Sequence, residues 1–250
     1  MSEARPFLRL AVIGDPVAQS KSPSLHAGFL AEAGIHGSYE AIRVIPEEVG
    51  AALARLAAAG YTGLNVTTPL KEEVLKHTLA ADPLASRLGA ANTLRYDAVL
   101  GGWSATNTDG AGARLAMLAA LGASFPAKRI LVLGAGPTAR AAALALQGAG
   151  AEVAIWNRSS DRARALAAAY GAKVYEPGEG SFDAVFSALA PNPSLPEGLE
   201  ALLRSEIVIL DANYGERSTL AALLGRAVVT GEAMLEAQAR ESFRHWREAV

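Results

Sequence analysis

The chain has 250 residues, 51% of them hydrophobic, with 23 basic and 25 acidic side chains and a net charge of −2. That is enough apolar material for one large or two modest cores, and balanced charge without a basic block gives nothing suited to nucleic acid. The lack of cysteine excludes disulfides, zinc fingers, thiol nucleophiles and iron–sulfur clusters, and His26, His36, His77 and His245 show no metal-ligand spacing, so no metal is expected.

In chain order, Leu8 to Ile13 reads as a buried strand. Ser22 to Ala33 reads as a helix, with Ser22 as N-cap and Pro23 in its first turn. Tyr39 to Val44 is a predicted strand, Glu47 to Ala59 an amphipathic helix, and Gly63 to Val66 a short strand running into Thr67-Thr68-Pro69. Leu70 to His77 is a predicted helix, followed by strands near Thr93 to Tyr96 and Val99 to Trp103 and a helix from Thr108 to Leu121. Further buried strands are predicted at Asp183 to Ser187 and Ile207 to Asp211, with a loop containing Pro191, Pro193 and Pro196 between them. A closing helix runs from Glu232 to Glu248, with Met234, Leu235, Phe243 and Trp246 at its apolar positions. No apolar run reaches ~18 residues and the start lacks an apolar leader, so a cytoplasmic protein with no membrane partner is expected.

The stretch from Arg129 to Arg162 carries the most chemistry. A strand (Ile130 to Leu133) leads into Gly134-Ala135-Gly136-Pro137-Thr138-Ala139, then an Ala-rich helix and a second strand, Glu152 to Trp156. This is the pattern of a dinucleotide-binding βαβ unit. Gly134 allows the sharp turn, Gly136 lets the backbone approach a pyrophosphate, and Ala139 permits close helix–strand packing. The helix N-terminus offers N–H groups and a positive dipole end, and Pro137 costs nothing where its N–H has no helical partner. The second strand ends in Asn157-Arg158-Ser159, where an NAD site usually has a carboxylate for the ribose hydroxyls. Arg158, with Arg162 a turn later, suits a 2′-phosphate, which favours NADP(H); Arg158 alone also fits a solvated surface residue.

Repeated strand–helix alternation predicts parallel sheets with helices on both faces, an α/β fold. Because the glycine turn falls mid-chain, two α/β domains flanking a cleft are expected, 1–106 and a Rossmann-type domain at 107–232. Polar clusters sit in the loops of the first half: Ser20-Lys21-Ser22-Pro23, Asn65 to Lys71, Gly89 to Thr93, and Asn107-Thr108-Asp109-Gly110. Each alone fits a structural role: Ser22 or Asp109 as a helix cap, Asn92 and Asn107 as turn residues, Lys71 as a surface cation.

Taken together and in this order, these motifs resemble the shikimate dehydrogenases over nearly the whole chain. The likeness extends to the Gly-Ala-Gly turn, Asn157-Arg158, Asp211-x-x-Tyr214 and the Met-Leu-x-x-Gln-Ala run at Met234 to Ala239. The resemblance implies NADPH-dependent, reversible reduction of 3-dehydroshikimate to shikimate, in the pathway to the aromatic amino acids. It implies that Lys71 and Asp109 are the catalytic pair. Ser20 and Ser22 would hold the substrate carboxylate, with Asn65, Thr67, Asn92, Tyr214 and Gln238 also on the substrate. Gly134, Ala135, Gly136, Thr138 and Ala139 would cradle the pyrophosphate, Asn157, Arg158, Ser159 and Arg162 the 2′-phosphate, with Gly231 also on the cofactor. The last helix, 233–250, would complete the first domain, and a monomer or homodimer is expected.

Related readings are a dehydrogenase for quinate or another ring acid, and a non-catalytic protein that binds NADPH or shikimate. The chain departs from the family's pattern at Pro137, at Ser187-Ala188-Leu189-Ala190-Pro191, and around Asp211 to Arg217, where aliphatic residues and a proline are usual.

Overall fold

The computed structural model describes residues 7–122, 125, 127–176, 178 and 180–248. They form two compact units: the described residues up to Thr108 together with those from Ala239 on, and Asp109–Gln238.

The first unit contains β1 (Leu8–Gly14), α1 (Ser22–Glu32), β2 (Gly37–Arg43), α2 (Val49–Ala58), β3 (Gly63–Val66), β4 (Ala80–Ala81), α3 (Pro83–Leu88), β5 (Thr93–Asp97) and β6 (Gly102–Thr106). The sheet order is β2-β1-β3-β5-β6-β4. Apart from Arg9, β1 is apolar, because both faces are covered. Leu8 and Leu10 point into one core, with Phe29, Leu30, Phe243 and Trp246. Ala11 and Ile13 point into the other, with Val49, Leu53, Leu56 and Leu64. The two-residue period of a strand makes this division.

The expected all-parallel sheet is corrected here. β1 is parallel to β2 and β3, but β5 runs antiparallel to both β3 and β6. The link between β5 and β6 is too short for a parallel crossover. Asp97 Oδ1 accepts from the amides of Val99 and Leu100, each at 2.9 Å, and Gly101 turns with φ +70°. This turn occupies the start of the strand predicted from Val99. The predicted helix at Leu70 to His77 is only a 3-10 turn, Glu73–His77, with neither a side-chain N-cap nor a glycine C-cap, whereas the shorter α3 has both in Asp82 and Gly89. Ser22 lies inside α1 rather than capping it. Lys21 is the N-cap, and Ser20 Oγ accepts from the Ser22 amide at 3.2 Å.

The second unit contains α4 (Asp109–Leu121), β7 (Arg129–Leu133), α5 (Pro137–Gly148), β8 (Glu152–Trp156), α6 (Ser160–Tyr170), β9 (Lys173–Val174), β10 (Ala184–Ser187), α7 (Glu197–Arg204), β11 (Val208–Asp211), α8 (Leu220–Leu224) and the start of α9 (Glu232–Arg247), whose residues from Ala239 on belong to the first unit. All strands are parallel, in the order β11-β10-β7-β8-β9. Ile130 and Val132 face one core while Leu131 and Leu133 face the other. The order reverses at β7, so the point where open α/β sheets bind ligands lies at the end of β7. Within the stretch read as a Pro-rich loop, α7 follows Pro196 and buries Leu199 and Leu203.

Candidate active site

In the first unit, sheet topology brings distant loops to one edge. β1 and β3 are parallel and end there at Gly14 and Val66; antiparallel β5 begins there after Asn92, and β6 ends there at Thr106. Asn65 pairs with Thr93, and Thr93 with Thr106. A parallel β5 would have put Asn92 at the opposite edge.

The loops after β1 and β3 pack on each other. The Asp15 amide donates to the Thr68 carbonyl at 3.0 Å, and a Cβ at Gly14 would lie 2.4 Å from Thr67 Cγ2. Ser20 follows in the first of these loops and Ser22 opens α1, with Thr67 at the start of the second loop. Lys71 is half-buried, and its carbonyl accepts from the Ala91 amide at 2.8 Å, which places its backbone beside Asn92.

Asn65 and Asn92 are buried and firmly held. Tyr39 Oη donates to Asn65 Oδ1 at 2.7 Å, and Asn65 Nδ2 donates to the Asn92 carbonyl at 3.1 Å. Asn92 Nδ2 donates to Thr108 Oγ1 at 2.9 Å, and the Thr108 amide donates to Asn92 Oδ1 at 2.8 Å. Asn107 Nδ2 donates to the Ala90 carbonyl at 2.9 Å. Behind this edge lies His26, stacked on Tyr39 with ring centroids 4.2 Å apart. Among the described residues, neither of its ring nitrogens has a hydrogen-bond partner of normal geometry. Burial lowers its pKa to about 3, with the nearby Asn65 side chain offsetting a small part.

In the second unit, Gly134 follows β7 with φ +111°, and its amide donates to the Trp156 carbonyl at 2.8 Å. A Cβ there would lie 3.2 Å from the Ala188 carbonyl oxygen, at the end of β10. Gly136 differs. Its φ of −77° suits any residue, and among the described residues nothing beyond its immediate chain neighbours lies within 4 Å of where its Cβ would be. Folding alone does not require glycine at 136, whereas close approach of a phosphate would. α5 starts at Pro137 with Gly136 as N-cap and no side-chain cap, and Ala135 and Ala139 pack into the core beside it. These residues fit a dinucleotide. Thr138 Oγ1 donates to Asp109 Oδ2 at 3.3 Å, which ties the first turn of α5 to the first residue of α4.

After β8, Asn157 Nδ2 donates to the Ser159 carbonyl at 3.1 Å, and Ser159 Oγ caps α6 by accepting from the Arg162 amide at 3.4 Å. Arg158 and Arg162 are exposed at this helix start, where the dipole adds to their charge.

The loop after β11 is organised by buried Asp211, which accepts from the Asn213 amide at 3.1 Å and Ser218 Oγ at 3.1 Å. Burial raises the Asp211 pKa, and these donors oppose the rise. Tyr214 lies in this loop. Gly231 backs it: a Cβ would lie 2.3 Å from the Ala212 carbonyl oxygen. Gln238 Nε2 donates to the Leu235 carbonyl at 3.1 Å.

The family model for the shikimate dehydrogenase substrate binding domain matches residues 12–94, and that for shikimate / quinate 5-dehydrogenase matches residues 117–190. The shikimate dehydrogenase (NADP(+)) of Xanthomonas campestris pv. campestris is 40% identical over 266 residues, spanning 96% of this chain and 91% of that one. The chain belongs to the shikimate dehydrogenase family. Among solved structures, the shikimate 5-dehydrogenase of Thermus thermophilus in complex with NADP(H) and shikimate matches with a TM-score of 0.82 and 36% identity, over 96% of this chain and 94% of that one. The Aquifex aeolicus shikimate dehydrogenase matches with a TM-score of 0.82 and 31% identity, over 99% and 95% of the two chains.

Two of the departures from the family pattern meet in space. Asn213 Nδ2 donates to the Leu189 carbonyl at 2.9 Å, joining the altered loop after β11 to the altered loop after β10. Sequence reasoning gave no role to Tyr39, His26 or Ser242, all of which belong to the polar edge or its backing. Ser242 carried a usable signal: it falls on the same buried stripe of α9 as Ala239, Phe243 and Trp246, where a hydroxyl must find partners. Among the described residues, no helix is long and apolar enough to cross a membrane.

Proposed function

We propose that this protein reduces 3-dehydroshikimate to shikimate with NADPH, reversibly. The observation that carries the reading is 40% identity to a shikimate dehydrogenase (NADP(+)) across 96% of the chain, with the polar edge and the glycine turn both intact.

Bound NADPH supplies the hydride. The chain must supply a proton to the ketone oxygen and stabilise the charge that develops there. The Lys71 ammonium does both. Asp109 holds a neighbouring substrate hydroxyl, and Thr138 orients the carboxylate by donating to its Oδ2. Ser20 and Ser22 take the substrate carboxylate. Asn65, Thr67, Asn92, Tyr214 and Gln238 complete its contacts. Gly134 to Ala139 hold the pyrophosphate, Gly231 backs the cofactor side, and Asn157 to Arg162 take the 2′-phosphate, with Arg158 as the principal cation. The same reading carries a cytoplasmic monomer or homodimer.

The test is loss of reduced-nicotinamide absorbance with 3-dehydroshikimate, run with NADPH and with NADH. NADPH-selective oxidation is the expected result; a folded protein inert with both cofactors refutes the proposal. The match to a shikimate / quinate family model favours a second reading, a quinate-type dehydrogenase. Comparing oxidation of shikimate and quinate with NADP+ separates the two.

A further inference from the structure

Ser242 lies on α9 and is fully buried, as is Thr93 on β5. A buried hydroxyl needs hydrogen-bond partners, and those of Ser242 are the groups that hold the two asparagines. Asn65 Nδ2, which can only donate, gives a proton to Ser242 Oγ at 2.9 Å. Ser242 Oγ also lies 2.7 Å from Thr93 Oγ1 and 3.1 Å from Thr108 Oγ1.

The donor inventory sets the directions at the two amides, while the three hydroxyls can each donate and accept. The Thr108 amide donates to Asn92 Oδ1, which fixes that amide's orientation and makes Nδ2 the donor to Thr108 Oγ1. Thr93 Oγ1 donates to Asn92 Oδ1 at 3.0 Å. The contacts close into a ring, Asn92–Thr108–Ser242–Thr93–Asn92, in which either oxygen of each serine–threonine pair can be the donor, and Thr108 Oγ1 also reaches Asn92 Oδ1 at 3.2 Å. The same Ser242 oxygen receives Asn65, whose Oδ1 is set at its other end by Tyr39. Trp246, one turn further along α9, anchors the helix by donating from Nε1 to the Leu94 carbonyl at 2.8 Å.

We propose that Ser242 is a positioning residue for the reaction. It closes a hydrogen-bonded ring that fixes the amide orientations of Asn65 and Asn92, and through them the pattern of substrate hydroxyls that the edge accepts. The effect on substrate rests on the functional reading above; the effect on the two amides does not.

The experiment is steady-state oxidation of shikimate with NADP+ by wild type and Ser242→Ala, with ¹⁵N spectra of the asparagine side-chain amides in both. Removing the hydroxyl opens the ring and leaves Asn65 Nδ2 with the Asn92 carbonyl at 3.1 Å and the more distant Thr93 Oγ1 at 3.4 Å, an effect on the order of tenfold in binding. The expected result is a shikimate KM raised about tenfold, kcat within about threefold and NADP+ KM unchanged, with the Asn65 and Asn92 amide signals shifted. A shikimate KM within about twofold of wild type, or equal rises for both substrates, overturns the proposal. If wild type itself does not oxidise shikimate, the functional reading fails instead; unshifted Asn65 and Asn92 amides then overturn the positioning role and shifted ones support it. Should Ser242→Ala not fold, Ser242→Cys, close in volume but a poorer acceptor, is measured in the same way.

Discussion

Replacing His26 with leucine removes a buried imidazole at nearly constant volume. The ring is fully buried and stacked on Tyr39, with Phe29 edge-on at 5.4 Å and Trp246 at 5.3 Å. Burial lowers its pKa from 6.5 to about 3. Above pH 6.5 the ring is neutral whether the chain is folded or not. Below it the unfolded chain binds a proton that the folded chain refuses, so stability falls as pH falls, and the loss levels off near pH 3. Each pH unit in that window is worth about 1.4 kcal/mol, so acidification from about pH 7.5 to about pH 5 costs the wild type about 2 kcal/mol through this ring. Glu73, Glu152 and Asp183 also weaken the fold on acidification. Lys76, Lys173 and the Arg129 amide, respectively, hold their carboxyls below the usual range. They are present in both proteins and cancel in the comparison. The assay is urea unfolding of wild type and His26→Leu at both pH values. The expected difference in pH dependence is about 2 kcal/mol, with the leucine variant less acid-sensitive. The same pH dependence in both proteins would refute the reasoning.

Lys71→Ala is expected to lower kcat by at least ~100-fold, the scale of a lost acid–base group, with NADPH binding nearly unchanged; wild-type-like turnover would remove Lys71 from the chemistry. Arg158→Ala is expected to raise the NADPH KM with little change for NADH, and equal losses for both cofactors would refute the 2′-phosphate role. Gly136→Ala is expected to leave apo stability within about 0.5 kcal/mol, because no described residue beyond its chain neighbours lies near the new methyl, yet to raise the NADPH KM about tenfold or more. A large fall in Tm without a cofactor effect would show that the protein's own packing demands that glycine.

Local pattern was enough to read the dinucleotide unit. Its signals, an apolar strand, a glycine turn and a helix start, fall within a few residues of one another, and α5 begins at Pro137 as its chemistry requires. The errors came where local chemistry had competitors. Ser22 has the right side chain for a cap, but the chain turns helical one residue earlier and Ser20 takes the Ser22 amide. Val99 suits a strand, but Asp97 captures its amide and makes it part of a turn. Leu70 to His77 carries helical spacing, but it lacks the capping residues that hold the shorter α3 in helical form.

By itself the sequence determined the α/β class, the glycine turn with its missing acidic partner, and the residue types available at each loop. These follow from side-chain periodicity and backbone permissiveness, which act over a few residues. Tertiary structure decided which of those loops share an edge. Antiparallel pairing of β5 brings Asn92 and Thr93 beside Asn65, and α9 delivers Ser242 to Asn65 from 177 positions away in the chain. Strand direction and helix docking come from pairing and burial between distant segments, and a hydroxyl on a helix stripe has no meaning until the groups opposite it are known.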